Sequence, residues 1–233
     1  SEKRLQAIKD FTELGSGFKI AMRDLSIRGA GNLLGAQQHG FIDSVGFDLY
    51  SQMLTEAVQR KQGKNTQTEK TSVEIDLGID AYLPTTYIED ERQKIEIYKR
   101  IRELETIDML DELQDDLMDR FGEYPDEVAH LLAVGELKMN GDRALLERIR
   151  KQEQLITVVL SKVGTKAYTV EQLFKSLGHT KLKATLGVEK EQMHLKLTIP
   201  NGMKTMVWLH EVQSFVADLR KERYQTMKEK TTQ

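Results

Sequence analysis

Residues 89–121 read EDERQKIEIYKRIRELETIDMLDELQDDLMDRF. Apolar side chains stand at Ile95, Tyr98, Ile101, Leu104, Ile107, Leu110, Leu113, Leu117 and Phe121. Steps of three and four residues line one face of a helix. A stripe this long exceeds an ordinary globular helix, so a break near Glu105-Thr106 is expected, with Thr106 capping the second piece. Tyr124-Pro125-Asp126 then opens a third helix, with Pro at the start and acids in the first turn, where the helix dipole favours them. It covers Val128, Leu131, Leu132 and Leu137 and should end near Gly141.

Beyond these helices the period changes. Leu155–Leu160 (LITVVL) is rich in β-branched residues, and Tyr168–Leu177 reads as a short helix stopped by Gly178. Lys183–Val188 and His194–Ile199 read as strands joined through Glu189-Lys190-Glu191. Pro200-Asn201-Gly202 is a turn, and Val207–Tyr224 a closing amphipathic helix. Upstream, Val73, Ile75, Leu77 and Ile79 alternate with polar residues as a strand does, and Pro84 interrupts. Helices grouped before a small antiparallel sheet make an α+β domain. Before it, Arg60–Ser72 is polar and reads as a linker. The N-terminal part carries helical patterns over 2–14 (Leu5, Ile8, Phe11, Leu14), Phe18–Ile27 and Phe47, Tyr50, Leu54, Val58. The expected organisation is therefore a helical hairpin, loop and following helix in 1–69, and a mixed α+β domain in 70–233.

The chain has 233 residues, no cysteine and a net charge of −3. Disulfides and thiolate metal sites are excluded, no apolar run reaches the length of a membrane span, and nothing argues for secretion. A cytoplasmic location is the expectation. The chain starts inside a helical pattern and without Met, which reads as a piece of a longer protein. Its charge is uneven: residues 1–70 carry +2, residues 71–150 carry −11 and residues 151–233 carry +6. Between Glu103 and Glu127 stand eleven acids and one base, Arg120. Such a block repels phosphates. It is either a set of solvated helix faces or a docking surface for a basic protein partner.

Residues 23–40, RDLSIRGAGNLLGAQQHG, carry three glycines, Gly29, Gly31 and Gly35, after a helical pattern. The spacing G-x-G-x-x-x-G misses the dinucleotide fingerprint, a helix rather than a strand precedes it, and there is no G-K-[ST]. Gly29 and Gly31 instead permit a sharp reversal between short helices. Asp24 and Arg28 stand four apart and can pair on one helix face, worth only about 0.3–0.5 kcal/mol. In a functional role, Arg28 offers a planar fork for phosphate or carboxylate, and Gln38 a donor and an acceptor on a loop.

The pattern Asp24, Leu25, Arg28, Gly29, Gly31, Leu34, Gly35, Gln38, Gly40 resembles the translocation motif shared by RecG-type helicases and the transcription-repair coupling factors (Mfd). The segments VEIDLGIDAYLPTTYIEDERQKIEIYKRI and DELQDDLMDRFGEYPDEVAHLL resemble the C-terminal domain of the coupling factors alone. Together they span most of residues 18–140. The resemblance implies the end of an ATP-driven double-stranded DNA translocase that pushes stalled RNA polymerase off its template and recruits the excision-repair protein UvrA. It implies that Arg28 and Gln38, in the setting of Asp24, Gly29, Gly31, Gly35 and Gly40, link hydrolysis to stepping. ATP and Mg would bind in motor lobes outside this chain, which would itself hold no catalytic site. The C-terminal domain would mask the UvrA-binding surface of the parent's UvrB-like N-terminal module, with Asp116, Asp119 and Arg120 as contact residues. The plain alternative for these three is helix solvation, with Arg120 near a C-terminal end.

Other chemistries find no footing. His39, His130, His179, His194 and His210 are scattered without ligand spacing, and neither G-x-S-x-G nor D-x-[DN]-x-[DN]-G occurs. Two further readings stay open: a freestanding acidic adaptor that binds a basic partner, and the end of a RecG-like branched-DNA helicase.

Overall fold

The computed structural model describes residues 69–231, with side chains through Gln225. The hairpin and loop with Asp24, Arg28 and Gln38, and the N-terminal helices, lie outside the described residues. In chain order the elements are β1 (Glu74–Asp76), α1 (Glu91–Arg102), α2 (Ile107–Phe121), α3 (Asp126–Arg143), β2 (Leu146–Gln152), β3 (Leu155–Leu160), α4 (Lys162–Ala167), α5 (Val170–His179), β4 (Lys183–Glu189), β5 (Gln192–Thr198) and α6 (Thr205–Thr231). Six helices and five strands make the described fold α+β. It divides into two compact units, residues 80–135 and residues 69–79 with 136–231; α3 gives residues to both.

The first unit is helical. Asp90 starts α1 by accepting from the Arg92 N–H at 2.7 Å, and Thr106 starts α2 by accepting from Met109 N–H at 3.2 Å. The long stripe thus breaks where Thr106 was expected to cap it. Gly122 ends α2 at φ 84°, a left-handed turn that glycine adopts without a Cβ clash. The buried face of α1 is Lys94, Ile97, Tyr98 and Ile101, so Ile97 rather than Ile95 is the core residue. The segment 80–90 straps these helices. Leu83 N–H donates to the Tyr98 hydroxyl at 3.0 Å, and the Tyr87 hydroxyl donates to Gly122 O at 2.8 Å. Leu83 and Ile88 are buried beneath.

The second unit is a five-stranded sheet in the order β1-β2-β3-β5-β4. It is mixed, not antiparallel throughout: β1 runs parallel to β2, while β2-β3, β3-β5 and β5-β4 are antiparallel. A parallel pair needs a long crossover, and here 69 residues separate Asp76 from Leu146. Two elements carried no sequence signal, β2 and α4. Others shift: β1 keeps only Glu74–Asp76 of the alternating stretch 73–79, β5 spans Gln192–Thr198, α5 runs past Gly178 to His179, and α6 starts at Thr205 and extends to Thr231. The core is built from Ile149, Ile156, Val158, Leu195 and Leu197 of the sheet, with Leu209, Val212, Phe215, Val216 and Leu219 of α6.

Buried polar groups pin this unit's elements together, with Ser176 Oγ the exception, buried without a hydrogen-bond partner among the described residues. Asp142 Oδ1 accepts Val73 N–H at 2.8 Å, and Lys138 Nζ donates to Val73 O at 3.0 Å while lying 3.7 Å from Asp142. Both side chains are buried. They hold the start of β1 against the end of α3. Tyr168, between α4 and α5, donates its hydroxyl toward Ala144 O at 2.6 Å and Leu219 O at 3.2 Å, tying that junction to α6 and to the end of α3.

Candidate docking surface on the acidic helix

Leu110, Leu113 and Leu117 of α2 are buried, which fixes the rotation of the helix. At 100° per residue, the opposite side collects Asp108, Asp111, Glu112, Asp115 and Asp119. All five are exposed. They form a carboxylate ridge along the helix, and none of the ion pairs among the described residues engages them. Ile107 and Met118 flank the ridge at 52% and 43% exposure, an apolar border to the charge.

Asp116 and Arg120 lie off the ridge, facing α1. Arg120 donates to Asp116 Oδ2 at 3.1 Å and to Glu96 Oε1 at 3.2 Å. Arg100 donates to the same Asp116 oxygen. The result is a four-membered network of two cations and two anions joining α1 and α2, half open to water. Partial burial pushes the Asp116 carboxyl upward, but the hydrogen bonds from Arg120 and Arg100 outweigh it and hold it below the usual range. The Arg120 guanidinium is pushed further up, first by Glu96 and then by Asp116. Arg120 also lies 4.9 Å over the Phe121 ring, whose other neighbour is Tyr87, with ring centres 5.8 Å apart.

Of the three residues expected to dock a partner, the structure brings Asp116 and Arg120 together and leaves Asp119 apart on the ridge, open to water. Sequence reasoning missed Arg100 and Glu96. Their signal was the four-residue spacing Glu96–Arg100 on one helix beside Asp116–Arg120 on the next. Among the described residues no cluster of three or more His, Asp or Glu could hold a metal ion, and no helix is long and apolar enough to cross a membrane.

A family model described as the TRCF domain matches residues 77–185, which holds α1–α5, β2, β3 and the start of β4. The chain is 49% identical over 228 residues to a transcription-repair-coupling factor of Bacillus subtilis (strain 168), covering 97% of this chain and 19% of that protein. It is 51% identical over 217 residues to the one of Staphylococcus haemolyticus, covering 93% of this chain and 18% of the relative. Among solved structures, the crystal structure of the C-terminal domain of a transcription-repair coupling factor superposes with a TM-score of 0.65 at 38% identity. That match covers 69% of this chain and 99% of the solved one. The chain spans about a fifth of the length of the curated relatives it matches.

Proposed function

The chain belongs to the transcription-repair coupling factor family, and on that premise we propose that it serves as the C-terminal part of an ATP-driven double-stranded DNA translocase. The parent displaces RNA polymerase stalled at lesions and recruits excision repair. Within it, residues 1–69 act as the coupling part and residues 70–233 as the regulatory domain. ATP and Mg bind the motor lobes upstream; this chain supplies coupling and restraint.

The observation that supports the regulatory half is the carboxylate ridge of α2. Five exposed acids on one helical face, bordered by Ile107 and Met118, present what a basic, partly apolar protein surface would match. Asp119 is the contact residue on that ridge. Asp116 and Arg120 position it by locking α2 to α1. The docked surface is the UvrA-binding face of the parent's UvrB-like module, so the ridge competes with UvrA.

The experiment puts Asp119→Arg into the full-length parent and measures capture of UvrA without DNA. Capture should rise by about tenfold, the equivalent of about 1.4 kcal/mol at one charge pair. Unchanged capture with a correctly folded protein would remove the ridge from the mechanism. For the coupling half, Arg28→Ala and Gln38→Ala in the same parent should retain DNA-stimulated ATPase and lose polymerase displacement. Loss of neither would make the hairpin a scaffold.

A further inference from the structure

The sheet ends on β4, whose outer side pairs with no strand among the described residues. The β4–β5 hairpin closes on the two-residue loop Lys190-Glu191, both at positive φ (50° and 66°), and Glu189 pairs with Gln192 across it. Hydrogen-bonded pairs alternate along an antiparallel ladder. Lys183, Thr185, Gly187 and Glu189 therefore bond inward to β5, while Ala184, Leu186 and Val188 turn their N–H and C=O groups outward. No turn, loop or side-chain hydrogen bond among the described residues takes these groups up.

An exposed edge of this kind is a template for another strand. What decides the partner is the sequence of β4, KATLGVE. Laid antiparallel on itself about a two-fold axis through Leu186, it sets Lys183 opposite Glu189, Ala184 opposite Val188, Thr185 opposite Gly187 and Leu186 opposite Leu186. Both faces then agree. On the apolar side, where Ala184, Leu186 and Val188 neighbour Leu197, Leu195 and Met193 of β5, the contact adds Ala–Val, Leu–Leu and Val–Ala pairs. It covers Val188, which is 64% exposed in the single chain. On the polar side it adds two Lys–Glu pairs. A lysine on an edge strand ordinarily blocks pairing; here each Lys183 meets the Glu189 of the second copy. Glu189 lies only loosely against His194 (3.8 Å) and Lys196 (3.7 Å) and is free to turn.

We propose that β4 is a self-complementary docking edge by which two copies of this chain join their sheets through an antiparallel β4–β4 contact. A one-residue slip would put apolar against polar side chains on both faces, so this register is the one the sequence favours. A two-fold contact uses the same patch on both copies. Seven residues a side make a small interface, below about 1,200 Å², so dimers are expected at high protein concentration and not when dilute.

The test uses sedimentation equilibrium of the 233-residue chain up to about millimolar, the weak end of specific association. A concentration-dependent dimer is expected. Lys183→Glu should weaken it by roughly tenfold by setting like charges opposite each other twice, and Lys183→Glu with Glu189→Lys should restore it. A chain that stays monomeric throughout, or a dimer indifferent to charge reversal, overturns the proposal. The absence of cysteine allows a second readout. Leu186→Cys would face its own copy at about 5.5 Å between Cα atoms, within disulfide reach, whereas Val188→Cys would face Ala184. Leu186→Cys should therefore cross-link faster under mild oxidation, although Val188 is the more exposed side chain. Faster cross-linking at Val188 would mean random encounter and sink the register.

Discussion

The helical unit and the sheet unit both contain an ion pair set four residues apart on a helix, and the two pairs do opposite work. Lys138 and Asp142 are buried, and both also bind the backbone of Val73. Asp116 and Arg120 are about a third exposed and bind only other side chains. The first pair fixes where a strand begins. The second ties an acidic helix to its neighbour α1 through Glu96 and Arg100. Charge inside the sheet unit is thus spent on architecture, whereas most of the charge on α2 stays at the surface, open to water.

The largest effect should come from breaking the buried pair. Asp142→Ala strips the acceptor from Val73 N–H and leaves the Lys138 ammonium buried without a counter-charge. Losing one partner of a buried pair costs about 3–5 kcal/mol, so chemical denaturation should show the sheet unit losing most of its stability. Replacing both by apolar residues, Lys138→Met with Asp142→Leu, should recover much of the loss. If Asp142→Ala costs no more than a surface change, the contrast between the units fails.

Tyr168→Phe is the next step down. It removes the hydroxyl that donates to Ala144 O and leans on Leu219 O, at about 1–3 kcal/mol. The same hydroxyl predicts a pH limit. Burial raises its pKa well above the ordinary tyrosine value. A group whose folded pKa is raised contributes stability below the unfolded value and loses it as pH climbs towards the folded one. Stability should therefore fall above about pH 10, with tyrosinate absorbance appearing together with unfolding. Tyr168→Phe should flatten that alkaline limb.

What the sequence made legible follows from the range of the forces involved. The break at Thr106 and the strand Leu155–Leu160 are set within a few residues, by a cap and by β-branched side chains, and both were readable. Strand β2, LERIRKQ, was not: its buried residues are Leu146 and Ile149, and a bulge between Leu146 and Arg148 breaks the period of two. The parallel pairing of β1 rests on contacts with residues 65 or more positions away, which no local pattern encodes. Ile97 was overlooked because its face includes the buried Lys94, which interrupts the apolar stripe with a charge. At the candidate site the acidic block was plain from composition. Its division into a ridge and a locked network depends on the rotation of α2, which only the packing of Leu110, Leu113 and Leu117 supplies.

A smaller effect separates the network from the ridge. Asp116→Asn removes a carboxylate shared by two guanidiniums, but in water-exposed geometry such pairs contribute up to about 1 kcal/mol. Because the folded pKa of Asp116 is depressed, its contribution is present above the ordinary carboxylate value and is lost as pH falls below about 4. A pH titration of stability should show the wild-type chain losing a small increment there that Asp116→Asn lacks.

The smallest effect has the opposite sign and bears most directly on why the ridge is acidic. Asp115 stands four residues from both Asp111 and Asp119, and like charges at that spacing destabilise a helix by about 0.2–0.5 kcal/mol per pair. Asp115→Lys exchanges two repulsions for two attractions without touching the core or the network. Relief of the two repulsions alone should raise stability by about 0.4–1 kcal/mol, read as a higher denaturation midpoint at low salt and a smaller gain at high salt. The same substitution should weaken docking to a basic partner in the full-length parent. Both outcomes together would mean that Asp115 serves the encounter and not its own helix. If Asp115→Lys left both stability and docking unmoved, the ridge would be solvated helix and nothing more.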